Sequence, residues 1–183
     1  MRHLGILSVR SDGINSTDVA SADLQSINFS SSGWLTHSES ASTGFEPLVE
    51  SSENAAPIDA MRFRFLTNPR DLEQGFEPTG DRYALAARVT GQANTAWQEP
   101  PEGTDPAEHL SESGEDGINV VLFADTDVLT DRLWVQKQNF LGQTIANSFA
   151  DNGTLVVNIA DQLTGSSDLI GIRTRTSTNQ PFE

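Results

Sequence analysis

INVVLFADTDVLTDRLWV, residues 118–135, decides how the chain is read. Its first seven residues form a mostly apolar, strand-like run that empties into Asp125-Thr126-Asp127. Two amphipathic patterns and a second strand-like run, 169–174, follow. The first pattern predicts a helix over 133–150, because Leu141, Ile145 and Phe149 recur at i, i+4 and i+8. The second, TLVVNIADQLTG at 154–165, carries the helical stripe Leu155, Val156, Ile159, Ala160 and Leu163. Asn152 or Thr154 would cap it, and Gly165 stands where a helix C-terminus favours positive φ. Strand, helix pair and strand in that order predict an α/β fold, a Rossmann-like three-layer sandwich with a mostly parallel sheet and a right-handed crossover. The helices would bury Leu141, Ile145, Leu155, Ile159 and Leu163 against Val121 and Phe123.

The first ninety residues read as short strands separated by Ser-, Asn- and Gly-rich turns, at 4–9, 24–29, 45–50, 61–66 and 83–90. The last alternates, with Tyr83, Leu85, Ala87 and Val89 on one face and Ala84, Ala86, Arg88 and Thr90 on the other. Small residues on the second face predict a close packing partner. At 183 residues the chain suits a single α/β domain, 1–183, with one core.

Acidic residues outnumber basic ones 26 to 11, giving a formal net charge of −15. Such a field repels nucleic acids and anionic membrane surfaces. Cysteine is absent, which removes disulfides, thiolate metal sites and a cysteine nucleophile. No apolar run approaches the ~20 residues that span a bilayer.

Asp125 and Asp127 beyond a strand end are placed as in the first motif of haloacid-dehalogenase-type phosphotransferases, where one aspartate attacks phosphorus and both help hold magnesium. That chemistry also requires a downstream Ser or Thr, a lysine and a second acidic pair. Lys137, the only lysine, lies too close, and no later Asp pair follows a strand. The favoured expectation is that the two carboxylates cap and fix loops, with a metal-dependent hydrolase as the alternative. Asp131 extends the pattern to D-x-D-x-x-x-D, but an EF-hand would need Gly at position 130 and Glu at 136, where Thr130 and Gln136 stand. His3, His37 and His109 are scattered with no i, i+4 pair, and no nucleophile elbow, P-loop or dinucleotide fingerprint occurs. Arg173 and Arg175 project from one face of the final predicted strand and are candidate ligand- or partner-binding cations, as Asp125 and Asp127 are candidate anions. No catalytic residue, metal or cofactor is assigned.

RYALAARVTGQANTAW at 82–97, VVLFADTDVLTDRLWV at 120–135 and FADNGTLVVNIADQLTGSSDLIGIRTR at 149–175 together resemble the auxiliary component of uncharacterised ABC-type transport systems, of the kind associated with gliding motility (GldG-like). INFSSSGWL at 27–35 and FEPLVESS at 45–52 fit the same family. The resemblance covers most of the chain in order, with Gln180 departing from the arginine expected there. It implies a class I glutamine-amidotransferase-like fold and a protein anchored by membrane helices, of which this chain would be a soluble, partial domain on the extracytoplasmic, periplasmic face of the bacterial inner membrane. It further implies ABC permease and ATPase subunits or other envelope proteins as partners. The amidotransferase nucleophile is a cysteine, so that activity does not carry over.

The segment 98–117 contains Pro100, Pro101 and Pro106 and seven acids with no lysine or arginine, so it is expected to be a mobile acidic loop, with Trp97 as a packed anchor at its start. Limited proteolysis of the native chain should nick within 99–117 before any other interior site, leaving the core intact; cleavage elsewhere first would contradict this.

Overall fold

The computed structural model describes residues 3–97, 99–140 and 143–165. Its sheets are antiparallel throughout. β1 (Ile6–Arg10) pairs with β2 (Ser26–Ser30); β3 (Gly44–Glu50), β4 (Ala84–Gly91) and β5 (Ile118–Phe123) form a three-stranded sheet in that order; β6 (Val135–Phe140) pairs with β7 (Gln143–Ser148). The helices are α1 (Ala60–Arg64), α2 (Asp131–Trp134) and α3 (Asn152–Leu163). The expected Rossmann-like sandwich with a mostly parallel sheet is therefore wrong: the strand at 118–123 runs antiparallel to β4, Ala86 opposite Phe123 and Gly91 opposite Ile118.

That expectation rested on a helix between the strands, and two elements differ locally from the sequence expectation. The expected helix at 133–150 ends after one turn, and the chain then forms the hairpin β6–β7 with Val135 opposite Ser148. Ile145 and Phe149 are exposed, at 45% and 55%, so the i, i+4 stripe is not a core face; Leu141 lies outside the described residues. Residues 61–66, expected as a strand, instead follow Asp59, whose Oδ1 accepts from Met61 N at 2.8 Å and starts the single turn of α1. Trp97, expected as a packed anchor, is 62% exposed. The expected strand at 169–174 lies outside the described residues.

The core joins the first two sheets and α3. Val9, Ile27 and Phe29 from β1 and β2, Leu48 and Val49 from β3, Leu85 and Ala86 from β4, and Leu155 and Ile159 from α3 form one buried cluster, with Val121 and Phe123 packed against it. Pro47 lies on β3, an edge strand of its sheet that meets only the isolated Ile14–Val49 bridge on its other side; the register shifts beyond it, and Leu48 and Val49 are both fully buried. The small residues of β4 meet their expected close packing, since Ala84 through Ala87 are all buried. α3 forms where expected and Gly165 has φ +85° at its end. Leu163 is nevertheless 44% exposed, outside the core stripe. Gly153 on its first turn lies under the Trp134 ring, where an added Cβ would come within 2.6 Å of the indole.

A buried charge pair ties the layers together. Arg88 on β4 donates from Nε to Asp18 Oδ2 at 2.7 Å and from Nη2 to Asp18 Oδ1 at 3.1 Å, both side chains being nearly inaccessible. The guanidinium also donates to Asn119 on β5 at 3.0 Å and to Gln162 on α3. One cation thus joins the 15–24 connection, two strands and a helix, and its donors are shared among three acceptor side chains, which compensates desolvation.

Asp18→Ala should cost about 3–5 kcal/mol by leaving that guanidinium buried and unpaired. Leu155→Ala should cost about 2–5 kcal/mol, whereas Ile145→Ala and Leu163→Ala should each cost below ~1 kcal/mol. Urea denaturation of the four variants checks the set; a large loss at Leu163 and none at Leu155 would contradict this packing.

Candidate functional site

β5 delivers Asp125 not into an open crevice but against the side of β2. In an antiparallel pair alternate residues point their backbone groups to opposite edges. Ser31 N donates across the ladder to Gly5 O, so by alternation Phe29 and Ile27 bond to β1 while the N–H groups of Ser26, Asn28 and Ser30 point away from it. Each finds a side-chain oxygen: Ser26 N donates to Asp151 Oδ2 at 3.1 Å, Asn28 N to Asn152 Oδ1 at 3.0 Å and Ser30 N to Asp125 Oδ2 at 2.6 Å. Asp151 N donates to Ser26 O, and Asn152 Nδ2 donates to Asn28 O and to Val128 O. Three side chains and one backbone amide thus stand where another strand would pair.

Asp125 is therefore buried, and its second oxygen accepts from Asp127 N at 2.7 Å. Both carboxylate oxygens hold backbone. Asp127 is half-exposed and pairs with Arg132 at 2.9 Å, while Arg132 also reaches Ser30 Oγ at 3.2 Å. Asp131 pairs with Lys137. Among the described residues no group of three or more His, Asp or Glu side chains is placed to share a metal ion. Arg173 and Arg175 lie outside the described residues. His3, His37 and His109 serve separate turns, bonded to Gly5 N, Thr43 O and Trp97 O. Asn152, expected as a helix cap, instead spends its side chain on β2.

A different site opens along the far edge of β1. A cleft of about 730 Å³ runs between this strand and the Glu50–Ile58 connection, with Trp34, Phe63, Phe76 and Tyr83 in its walls and Arg10, Arg82, Asp12 and Glu50 among its polar groups. The volume falls within the range of ligand-sized pockets. Several backbone bonds place the aromatic wall. Gly33 N donates to Ala124 O and Leu35 N to Ala84 O, which fixes Trp34 beside Tyr83, and the two rings meet edge-to-face at 5.7 Å. Tyr83 N donates to Ser51 Oγ and Ser51 N to Tyr83 O, while the phenol is hydrogen-bonded to Thr79. Arg82 donates to Asp12 O at 3.1 Å. Among the described residues neither Arg10 nor Arg82 has a carboxylate partner within ion-pair distance. Local sequence does not reveal this cleft, because its lining comes from six separate stretches, 3–13, 31–34, 50–58, 63, 76 and 82–85.

Residues 1–159 match the family model described as an ABC-type uncharacterized transport system, the auxiliary family, and the chain belongs to it. No curated protein and no solved structure matches the chain. The family match spans β1 through most of α3, including the β2 edge and the cleft. Among the described residues no helix is long and apolar enough to cross a membrane.

Removing the Asp125 carboxylate orphans two N–H groups, so Asp125→Ala should cost roughly 1–3 kcal/mol for each buried donor left unpaired. Asp127→Ala removes only a solvent-exposed ion pair and should cost about 0–1 kcal/mol. Thermal unfolding of the two variants should separate them clearly; equal and small losses would contradict the structural role given to Asp125.

Proposed function

We propose that the chain is a non-enzymatic accessory module of an ABC-type transport system that engages a partner polypeptide through the cleft along β1. The partner is the permease, the ATPase or another envelope protein, met on the extracytoplasmic side of the bacterial inner membrane by a full-length protein anchored in it. The motif order at 82–97, 120–135 and 149–175 supports the gliding-associated branch of the family. The observation that carries the reading is the cleft itself: aromatic walls, with Arg10 and Arg82 forming no ion pair among the described residues although Asp12 and Glu50 also line it, in a chain whose net charge is −15. Aromatic and arginine side chains are the types most enriched at binding hot spots. The surface field argues against lipid or nucleic acid as the bound surface.

A hydrolase built on Asp125 and Asp127 has less support. Asp125 is engaged through both oxygens by backbone N–H groups, and Asp127 by Arg132. The full-length protein co-expressed with its ABC permease and ATPase should co-purify with them, and Trp34→Ala combined with Arg10→Glu should reduce the yield about tenfold or more, as loss of hot-spot contacts does. Undiminished co-purification of that variant would remove the cleft from the account. Alongside, para-nitrophenyl phosphate with magnesium should give no turnover above background. Magnesium-dependent turnover lost in Asp127→Asn would instead establish the hydrolase.

A further inference from the structure

The two edges of the β1–β2 sheet are treated differently. The β2 edge is filled by Asp151, Asn152 and Asp125, as described above. At the β1 edge, Ile6, Ser8 and Arg10 lie opposite Ser30, Asn28 and Ser26, whose N–H groups turn away from β1, so by the same alternation their own backbone groups point outward. Ile6 N is taken by His3 O at 2.9 Å. Among the described residues neither Ser8 N nor Arg10 N meets an acceptor. This open edge does not face bulk solvent alone; the whole strand lines the cleft. Exposed edges are commonly blunted by lysine, proline or a bulge. Here the strand carries none of these, and Ile6 is 50% exposed.

We propose that the cleft receives an extended segment of a partner polypeptide, which adds to β1 as a third, hydrogen-bonded strand. This rests on the partner-binding reading above and specifies how the partner is held. Ser8 N–H and Arg10 N–H donate to the incoming backbone, which lies about 4.8 Å away in a paired sheet. Alternate side chains of the guest pack toward Trp34 and Tyr83. A carboxylate near one end meets Arg10, which has no carboxylate within ion-pair distance among the described residues. The occupant is therefore a polypeptide with alternating apolar residues and an acidic end. A second copy of this chain is disfavoured by self-repulsion at a net charge of −15.

The test uses the full chain and a synthetic peptide of alternating valine and threonine ending in glutamate, with amide exchange followed residue by residue. The peptide should slow exchange at Ser8 and Arg10 by about tenfold or more while leaving Ile27 and Phe29 unchanged. The same peptide with alternate amides N-methylated should give no protection. Ser8→Pro removes an outward N–H and spares the β1–β2 ladder, so the variant should keep its fold by circular dichroism and lose peptide binding. Failure of the peptide to protect either amide overturns strand addition. So does protection already present without peptide, whether concentration-independent, from the chain's own residues, or concentration-dependent, from a second copy. If strand addition fails while the Trp34 and Arg10 substitutions still abolish co-purification with the transporter, the cleft remains the docking site and only its mode of engagement falls.

Discussion

The outward edge of β2 is the constraint on which the arrangement depends. Its three outward N–H groups lie at buried or half-buried positions, where an unpaired donor costs about 1–3 kcal/mol. A further strand would satisfy them, but the chain uses Asp151, Asn152 and Asp125, drawn from two positions almost thirty residues apart. This choice fixes the start of α3 and the end of β5 against the same strand. It also forces Asp125 to be buried, which in turn holds the loop through Asp127 N. Asn152 is the most demanding member, since its amide both accepts from and donates to Asn28 and donates to Val128 besides; neither aspartate nor leucine reproduces that set.

The same geometry changes the meaning of the most suggestive motif. Asp-x-Asp after an apolar strand is placed as a catalytic pair would be, and local sequence does not distinguish a carboxylate that faces substrate from one that faces a neighbouring strand. The distinction lies in Ser30, ninety-five positions earlier. Arg88 shows the same limit. A charge inside an otherwise small, apolar strand signals a buried partner, but Asp18 as that partner follows only from the fold.

Much of the secondary structure was nevertheless legible. Apolar runs located β1, β2, β3, β4 and β5 to within a residue or two, and the stripe through Leu155 and Ile159 located α3. The failure lay between them. The hairpin β6–β7 is polar and exposed along β7, so it offers little period-two contrast, and the spacing of Leu141, Ile145 and Phe149 imitated a helix. Gly142 between two short runs rich in Gln, Asn and Thr was the available hairpin signal. Reading that hairpin as a helix converted an antiparallel meander into an apparent crossover, and the parallel sheet followed from it. The family assignment does not depend on this step, because it rests on the match over residues 1–159.

Residue-resolved hydrogen exchange of the native chain tests the central claim most directly. If side chains close the β2 edge, the amides of Ser26, Asn28 and Ser30 should be protected comparably to Ile27 and Phe29, and Asp125→Ala should release Ser30 by about tenfold or more while sparing Ile27. Fast exchange at all three outward amides in the unmodified chain, or a Ser30 amide indifferent to loss of the Asp125 carboxylate, would contradict the account.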